Sequence, residues 1–376
     1  MNRTSPWSLP CLYAKAGPLL RPLGVPYAWL MRARRARYMD GGSAAYRPSC
    51  PCVSVGNIAF GGTGKTPLTA RLLAWTREEG LRAVVLSRGY KGRPGPDPLV
   101  VTPETPAERS GDEPLMLARA FPDVPVIVFP RRAESAVFAE RRFSPDIIIL
   151  DDGMQHLAVA RDTDIVLLRP EDLDEDWNRV IPSGPWREGE SALASASAFA
   201  VKAEAKAFAD LVPLAERRLG RFGKPLFAFS LEPAGLEALA PEKDASRAAD
   251  AAGYKNAPYL LLSGVGNPAG VEATATRLMG RPPVRHFTFA DHHSFTAADI
   301  QAVIKLAQAP LPVLCTAKDA VKLRPLADAF GLCPALVMTV EAAFGSSLFT
   351  DLDFADWWRE RWRDMRAERG TGRSHG

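Results

Sequence analysis

Residues 53–67, VSVGNIAFGGTGKTP, hold the densest set of chemically useful groups in the chain. Gly61, Gly62 and Gly64, with Thr63 among them, let the backbone curl tightly enough to aim several N–H groups at one anion. Lys65 adds a point charge suited to β- and γ-phosphates, and Thr66 a hydroxyl suited to Mg²⁺. The helix expected to follow turns the positive end of its dipole to the same place. The pattern is the G-x-x-x-x-G-K-[ST] of a phosphate-binding loop, with Ala59 where the first glycine usually stands.

Matching acids lie further on. The apolar run 146–150 ends in Asp151-Asp152-Gly153-Met154-Gln155-His156. A strand closing on a carboxylate holds Mg²⁺ beside such a loop, and either Asp151 or Asp152 would serve. Gln155 and His156 add polar groups at the same edge. Asp112 and Glu113, in SGDEP, open a predicted helix. By pattern alone they read as first-turn caps, and the alternative is a base and a metal ligand. Asp291-His292-His293 raises the question of zinc, but no third and fourth ligand stands at a recognisable spacing, leaving a general base or a structural loop. Arg88-Gly89-Tyr90-Lys91-Gly92 follows a strand, where open α/β sheets bind ligands. Arg187, in IPSGPWRE, is the one fixed arginine of an irregular loop, suited to a substrate or phosphate contact or to plain surface.

The elements that must position these groups alternate. Apolar runs at 52–56, 83–87, 124–129, 146–150 and 164–169 are separated by helical stretches, the pattern of an α/β fold with a mainly parallel sheet. Composition changes near Gly223. A second α/β series follows, with strands at 225–231, 259–263, 284–289, 313–316 and 336–340 and helices at 269–279, 295–306 and 354–366. Residues 93–108 read as a loop, 234–256 as helix or loop, and 367–376 as a disordered tail.

The bulk properties fit an ordinary globular chain of 376 residues, 47% hydrophobic and 24% charged, with a net charge of +4. That balance argues against wholesale nucleic-acid affinity. The charge is uneven: residues 1–50 hold eight basic residues and one acid, Asp40. Aromatic and aliphatic residues precede Arg32, Arg34, Arg35 and Arg37, so residues 5–39 read as an amphipathic segment for an anionic membrane surface. The prolines interrupt it. No run of 18 apolar residues suggests a span, and no signal peptide is evident. Five cysteines at these spacings suggest neither a zinc site nor a redox motif.

Taken together, VGNIAFGGTGKTP, LSRGYKG, GDEP, ILDDGMQH, IPSGPWRE, GVGNP, DHH and TAKDAVKL resemble the tetraacyldisaccharide 4′-kinase family through nearly the whole chain. The resemblance implies an ATP- and Mg²⁺-dependent kinase that phosphorylates the 4′-hydroxyl of a lipid A disaccharide 1-phosphate to give lipid IVA. It implies a peripheral enzyme on the cytoplasmic face of the bacterial inner membrane, with no obligate protein partner. A P-loop kinase domain (1–222) would be joined by a β hinge to a smaller C-terminal α/β domain (223–345), followed by a C-terminal helix and tail (346–376). Lys65 would cradle phosphates, and Thr66 with Asp151 or Asp152 would hold Mg²⁺, Glu113 lying nearby. Asp112 would be the general base, paired with His292 across the two domains. Arg88, Tyr90, Gln155, His156 and Arg187 are the substrate candidates. The chain departs from the family in DLDEDWNRV before IPSGPWRE, in Pro-Trp there, and in TAKD for the commoner TEKD.

The rival expectation is a P-loop NTPase switch that acts on a protein partner, as metallochaperone NTPases do. Thr316-Ala317-Lys318-Asp319 faintly echoes the base-reading N-K-x-D of such proteins. Competition between ATP and GTP separates the two.

Overall fold

The structure, a computed structural model, describes residues 9–240, 251–305 and 310–371. Residues 5–8 of the amphipathic segment, 241–250 of the ambiguous stretch, residue 306 of a predicted helix and 372–376 of the tail lie outside them. The chain divides into two compact units, Met1–Arg88 with Phe129–Ser230 and Ala343–Gly376, and Gly89–Val128 with Leu231–Ala342.

The first unit is built on parallel strands. Cys52–Asn57 pairs with Ile147–Asp151 on one side and Thr163–Leu168 on the other. Ala83–Ser87 extends the sheet beyond the first neighbour, and Ala198–Lys202 and then Leu226–Phe229 extend it beyond the second. The three central strands are buried along their whole length. A parallel strand covered by helices on both faces has no solvent side, which is why these runs are continuous rather than alternating. Lys65–Glu78 is the helix after the glycine-rich loop and Arg132–Phe143 the one before the acidic strand. Helix Phe354–Thr371 packs Trp358 and Trp362 edge-on against Trp75. It therefore takes in residues 367–371, expected as tail.

Leu9–Met39 is one helix despite its prolines. Pro18, Pro22 and Pro26 recur every four residues, so their missing N–H groups fall along one side, and Pro22 and Pro26 are exposed. Carbonyls released there can turn to water. The opposite side is seated on the unit. Arg35 forms a bidentate ion pair with the buried Glu188 at 2.8 and 2.9 Å and donates to Met154 O at 3.1 Å. Gly17 and Gly24 face 179–183, where a Cβ on Gly17 would collide with Ser183 O and one on Gly24 would press tightly on Val180 O.

In the second unit, Arg285–Thr288, Leu260–Ser263, Val313–Thr316 and Ala335–Met338 pair in that order, all parallel. Pro268–Met279, Ala297–Ile304 and Ala317–Leu323 are its helices. Asn267 and Thr296 cap the first two through their side chains. Gly89–Val128 adds the antiparallel pair Leu99–Val101 and Val126–Val128, inside a stretch partly expected as loop, and helix Asp112–Ala120.

Arg35→Ala leaves Glu188 charged and buried. Losing one partner of such a pair costs about 3–5 kcal/mol, so a matching drop in urea-unfolding stability is expected. Arg35→Met with Glu188→Leu should restore part of it. A single variant as stable as wild type would contradict the anchoring.

Candidate active site

The glycine-rich loop leaves its strand at Asn57 and enters its helix at Lys65. Gly64, the residue before the helix, has φ 91°, and a Cβ there would come within 2.9 Å of the Phe229 ring. Glycine is required on both counts. Over Gly62 there is open space. Ala59 is fully buried and bridges Trp186 in antiparallel fashion, while Phe60 N–H donates to Pro185 O and Arg187 N–H to Ile58 O. The segment where a first glycine is usual is thus extended backbone that alanine adopts readily. The same pairing lays IPSGPWRE alongside residues 58–60. Trp186, a departure from the family's commoner residue, is fully buried, donates to Asp172 Oδ1 at 3.0 Å and meets Trp177 edge-on.

Charges converge on this loop within the first unit. Lys65 Nζ donates to Asn57 Oδ1 at 3.2 Å and stands 3.7 Å from Asp152 Oδ1. Arg187 reaches Asp152 with two N–H groups, at 2.9 and 3.0 Å, and also bonds Asn57 through its backbone and side-chain oxygens. Asp152 has φ 54°, which turns it out of the strand line after Asp151. Burial raises its carboxyl pKa, but Lys65 and Arg187 outweigh that and hold it well below the usual range. Asp151 is almost wholly buried and accepts from Ser87 Oγ at 3.3 Å. Arg132, buried behind it, donates to Phe129 O and Asp151 O, and desolvation pushes its pKa down to about 10. Burial and the charge of Arg132 push His156 down to about 3, so its imidazole is neutral at pH 7. Gln155 Nε2 donates to Asn57 O at 3.2 Å.

The residues fit Mg²⁺ and phosphate. Thr66, Asp151 and Asp152 would offer hard oxygen donors of the kind Mg²⁺ takes. Thr63 Oγ1 and Gln155 Oε1 are buried oxygens with no hydrogen-bond partner among the described residues, as expected of groups that serve a ligand. Glu113, the further metal candidate, lies in the second unit, in the first turn of helix Asp112–Ala120. Arg88 is exposed at the end of its strand.

The second unit holds the other cluster. Gly111 precedes helix Asp112–Ala120 at φ 83°, and a Cβ there would strike Tyr90 O at 2.7 Å. The RGYKG loop is thus folded onto the start of this helix, and Arg93 N–H donates to Glu108 O. Asp112 Oδ2 accepts from His292 Nδ1 at 2.9 Å and forms an ion pair with Lys322 Nζ at 2.8 Å. Burial raises the Asp112 pKa, yet these two partners bring it below the ordinary carboxylate value. The exposed Tyr90 ring meets His292 edge-on. Asp112 and His292 therefore share one compact unit, whereas the family resemblance implied a pair split between two domains.

Among the described residues no group of three or more His, Cys, Asp or Glu side chains could hold a metal, so Asp291-His292-His293 has no zinc ligand set. His293 instead faces Asp299 at 3.3 Å. The T-x-K-D echo is structural. Thr316 Oγ1 caps its helix at Asp319 N–H, and the fully buried Asp319 accepts from Gly264 N–H. Asn57, Arg132 and Lys322 had escaped notice. Asn57 is a polar residue closing an apolar strand, a local signal. Nothing in the sequence marks Arg132 as buried or Lys322 as facing Asp112.

A parallel sheet with a phosphate-binding loop, an acidic strand end beside it and arginine over both defines a P-loop phosphotransferase. The family model for tetraacyldisaccharide-1-P 4′-kinase matches residues 16–354. A tetraacyldisaccharide 4′-kinase of Oleidesulfovibrio alaskensis is 48% identical, over 93% of this chain and 96% of that relative. One of Nitratidesulfovibrio vulgaris is 45% identical, over 94% and 96%. The crystal structure of the "apo" form of LpxK from Aquifex aeolicus in complex with ATP matches with a TM-score of 0.68 at 23% identity, over 93% of this chain and 99% of that one. That likeness bears on the fold alone. The chain belongs to the tetraacyldisaccharide-1-P 4′-kinase family.

Because its pKa is lowered on folding, the Asp112 carboxylate stabilises the protein above the unfolded carboxylate value of about 3.9, and that contribution is lost as pH falls through the lower folded value. Asp112→Asn should therefore unfold more easily than wild type at pH 7, with the gap closing towards pH 3. Chemical unfolding at stepped pH measures it. A gap independent of pH would contradict the assignment.

Proposed function

We propose that this protein is an ATP-dependent kinase that phosphorylates the 4′-hydroxyl of a tetraacyldisaccharide 1-phosphate, giving lipid IVA. The observation that carries this reading is the Asp112 carboxylate gripped by His292 and Lys322. A switch protein that acts by changing shape needs no such group, whereas a sugar hydroxyl does, being a poor nucleophile until its proton has somewhere to go. Lys65 and the backbone N–H groups of residues 61–64 would bind the β- and γ-phosphates, and Thr66 with Asp151 or Asp152 would hold Mg²⁺. When bound, that ion neutralises charge on the phosphates. The O–P bond to the 4′-oxygen forms as the bridging β–γ O–P bond breaks. ADP leaves with the bridging oxygen, and the hydroxyl proton passes to Asp112. Tyr90, beside His292, and Arg88, Gln155, His156 and Arg187 are the substrate-side groups, with Glu113 next to the base. The residues at 1–222 would carry nucleotide chemistry and those at 223–345 would form the smaller domain, with Gly89–Val128 contributing the base.

We infer also that helix Leu9–Met39 lies on the cytoplasmic surface of the inner membrane. Leu19, Leu23, Val25, Trp29 and Leu30 are all exposed. At 3.6 residues per turn Leu19, Leu23 and Leu30 fall within about 40° of one another, with Trp29 at the edge of that face and Val25 further round. Arg32, Arg34 and Arg37 follow at one end. Among the described residues no helix is long and apolar enough to cross a membrane. An acylated substrate stays in the bilayer, so the enzyme must come to it.

Mg-ATP and the tetraacyldisaccharide 1-phosphate in mixed micelles should give one added phosphate at the 4′-position by mass spectrometry. Lys65→Ala should abolish it, and Asp112→Ala should lower turnover by about 10²–10⁴-fold. ATP hydrolysis with no lipid product, or preference for GTP, would favour the switch. In a separate sedimentation assay with anionic vesicles, Leu19→Asp with Leu23→Asp and Trp29→Asp should leave the protein in the supernatant. Unchanged binding would remove the helix from the membrane surface.

A further inference from the structure

His292 is held on both sides of its ring. Its Nδ1 faces Asp112 Oδ2, while its Nε2 lies 3.2 Å from Lys318 Nζ. The Lys318 ammonium is itself fixed by Asp291 Oδ1 at 2.8 Å, and Lys91 adds positive charge near Asp291. Lys318 and Lys322 stand one turn apart on helix Ala317–Leu323, one turned to the ring and the other to the carboxylate. The groups facing the imidazole are thus Asp112, Lys318, Asp291 at 3.9 Å and the Tyr90 ring.

A lysine ammonium donates hydrogen bonds and accepts none. A ring nitrogen that meets it must therefore be the unprotonated, accepting one. The single proton of the neutral imidazole is left on Nδ1, where it can only point at Asp112. We propose that Lys318, oriented by Asp291, is a positioning residue that sets the tautomer of His292, so that the ring always donates to Asp112 Oδ2. This rests on the reading of Asp112 as the proton acceptor. Nε2 is engaged by Lys318 and Oδ2 by Nδ1–H and Lys322. The reaction proton then has one destination, the Asp112 carboxylate, whose Oδ1 takes neither of these two contacts. A ring in the other tautomer would present a lone pair to the carboxylate and swing it away. In hydrogen-bonded base pairs of this type the wrong tautomer is costly to kcat.

The test uses the full chain with ¹⁵N-labelled histidine at pH 8, above the ordinary imidazole pKa of about 6.5. Proton–nitrogen correlation across the ring reads the tautomer, and loss of one signal set in His292→Gln assigns it. Wild type is expected to show Nδ1–H. Lys318→Met should move the signals to Nε2–H or a mixture of the two. Lys318→Arg, which also only donates, should restore them, and Asp291→Asn should shift them part-way should Lys318→Met fail to fold. In the phosphoryl-transfer assay kcat of Lys318→Met should fall at least about tenfold, with KM for ATP unchanged, and recover in Lys318→Arg. Retention of Nδ1–H in both Lys318→Met and Asp291→Asn overturns the inference, even if turnover is lost. Wild-type protein that transfers no phosphate overturns the kinase reading instead, and the spectra still decide the tautomer.

Discussion

Asp151 ends a strand that water does not reach, the half-buried Asp152 follows it, and the first unit gathers opposing charge around the two carboxylates. An isolated carboxylate in such a place would take up a proton rather than stay ionised. Lys65, Arg187 and Arg132 supply the opposing charge from three different segments. Asn57 links two of them, its side-chain oxygen receiving both Lys65 and Arg187. Phosphates and a divalent cation bring their own charges, and a balanced cluster of this kind can exchange Lys65 and Asp152 from each other to those partners. The neutral His156 adds no further charge.

The second unit answers a different need. In the reaction proposed above, Asp112 would have to be a carboxylate, correctly aimed, as a hydroxyl gives up its proton. Two cation or N–H donors on the same oxygen hold it ionised and fix its plane. A depressed pKa makes it a weak base in the ground state. In phosphoryl transfer through a loose transition state the proton moves late, so orientation matters more than basicity. Spending so many groups on one carboxylate is consistent with that.

The departures from the family pattern have physical accounts where the structure reaches them. Ala59 is tolerated because its backbone is extended and bridged to Trp186, so no left-handed conformation is called for. Trp186 fills a core that also takes in Ile58, Met154 and Leu173. Ala317 leaves the capping of its helix to Thr316 and Asp319. Each is an exchange within packing or capping.

The phosphate loop and the acidic strand end were legible in the chain because each is a contiguous run whose chemistry follows from its own backbone: glycines curl, an apolar β-branched strand is buried, and its last residue emerges at the edge. The parallel α/β class followed from the same alternation. The N-terminal helix was legible in its apolar and basic composition, but its continuity was not, since prolines break a helix locally unless their lost bonds fall together on one side. The meeting of Asp112 with His292 across 180 residues of chain, the grip of Lys322, and the burial of Arg132 and Glu188 belong to the tertiary structure alone. A side chain's partner across such a separation depends on how strands stack and helices pack, and residue type constrains that weakly. The family resemblance could name Asp112 and His292 as partners. Only folding shows that one unit holds both and that helix Ala317–Leu323 supplies the lysines around them.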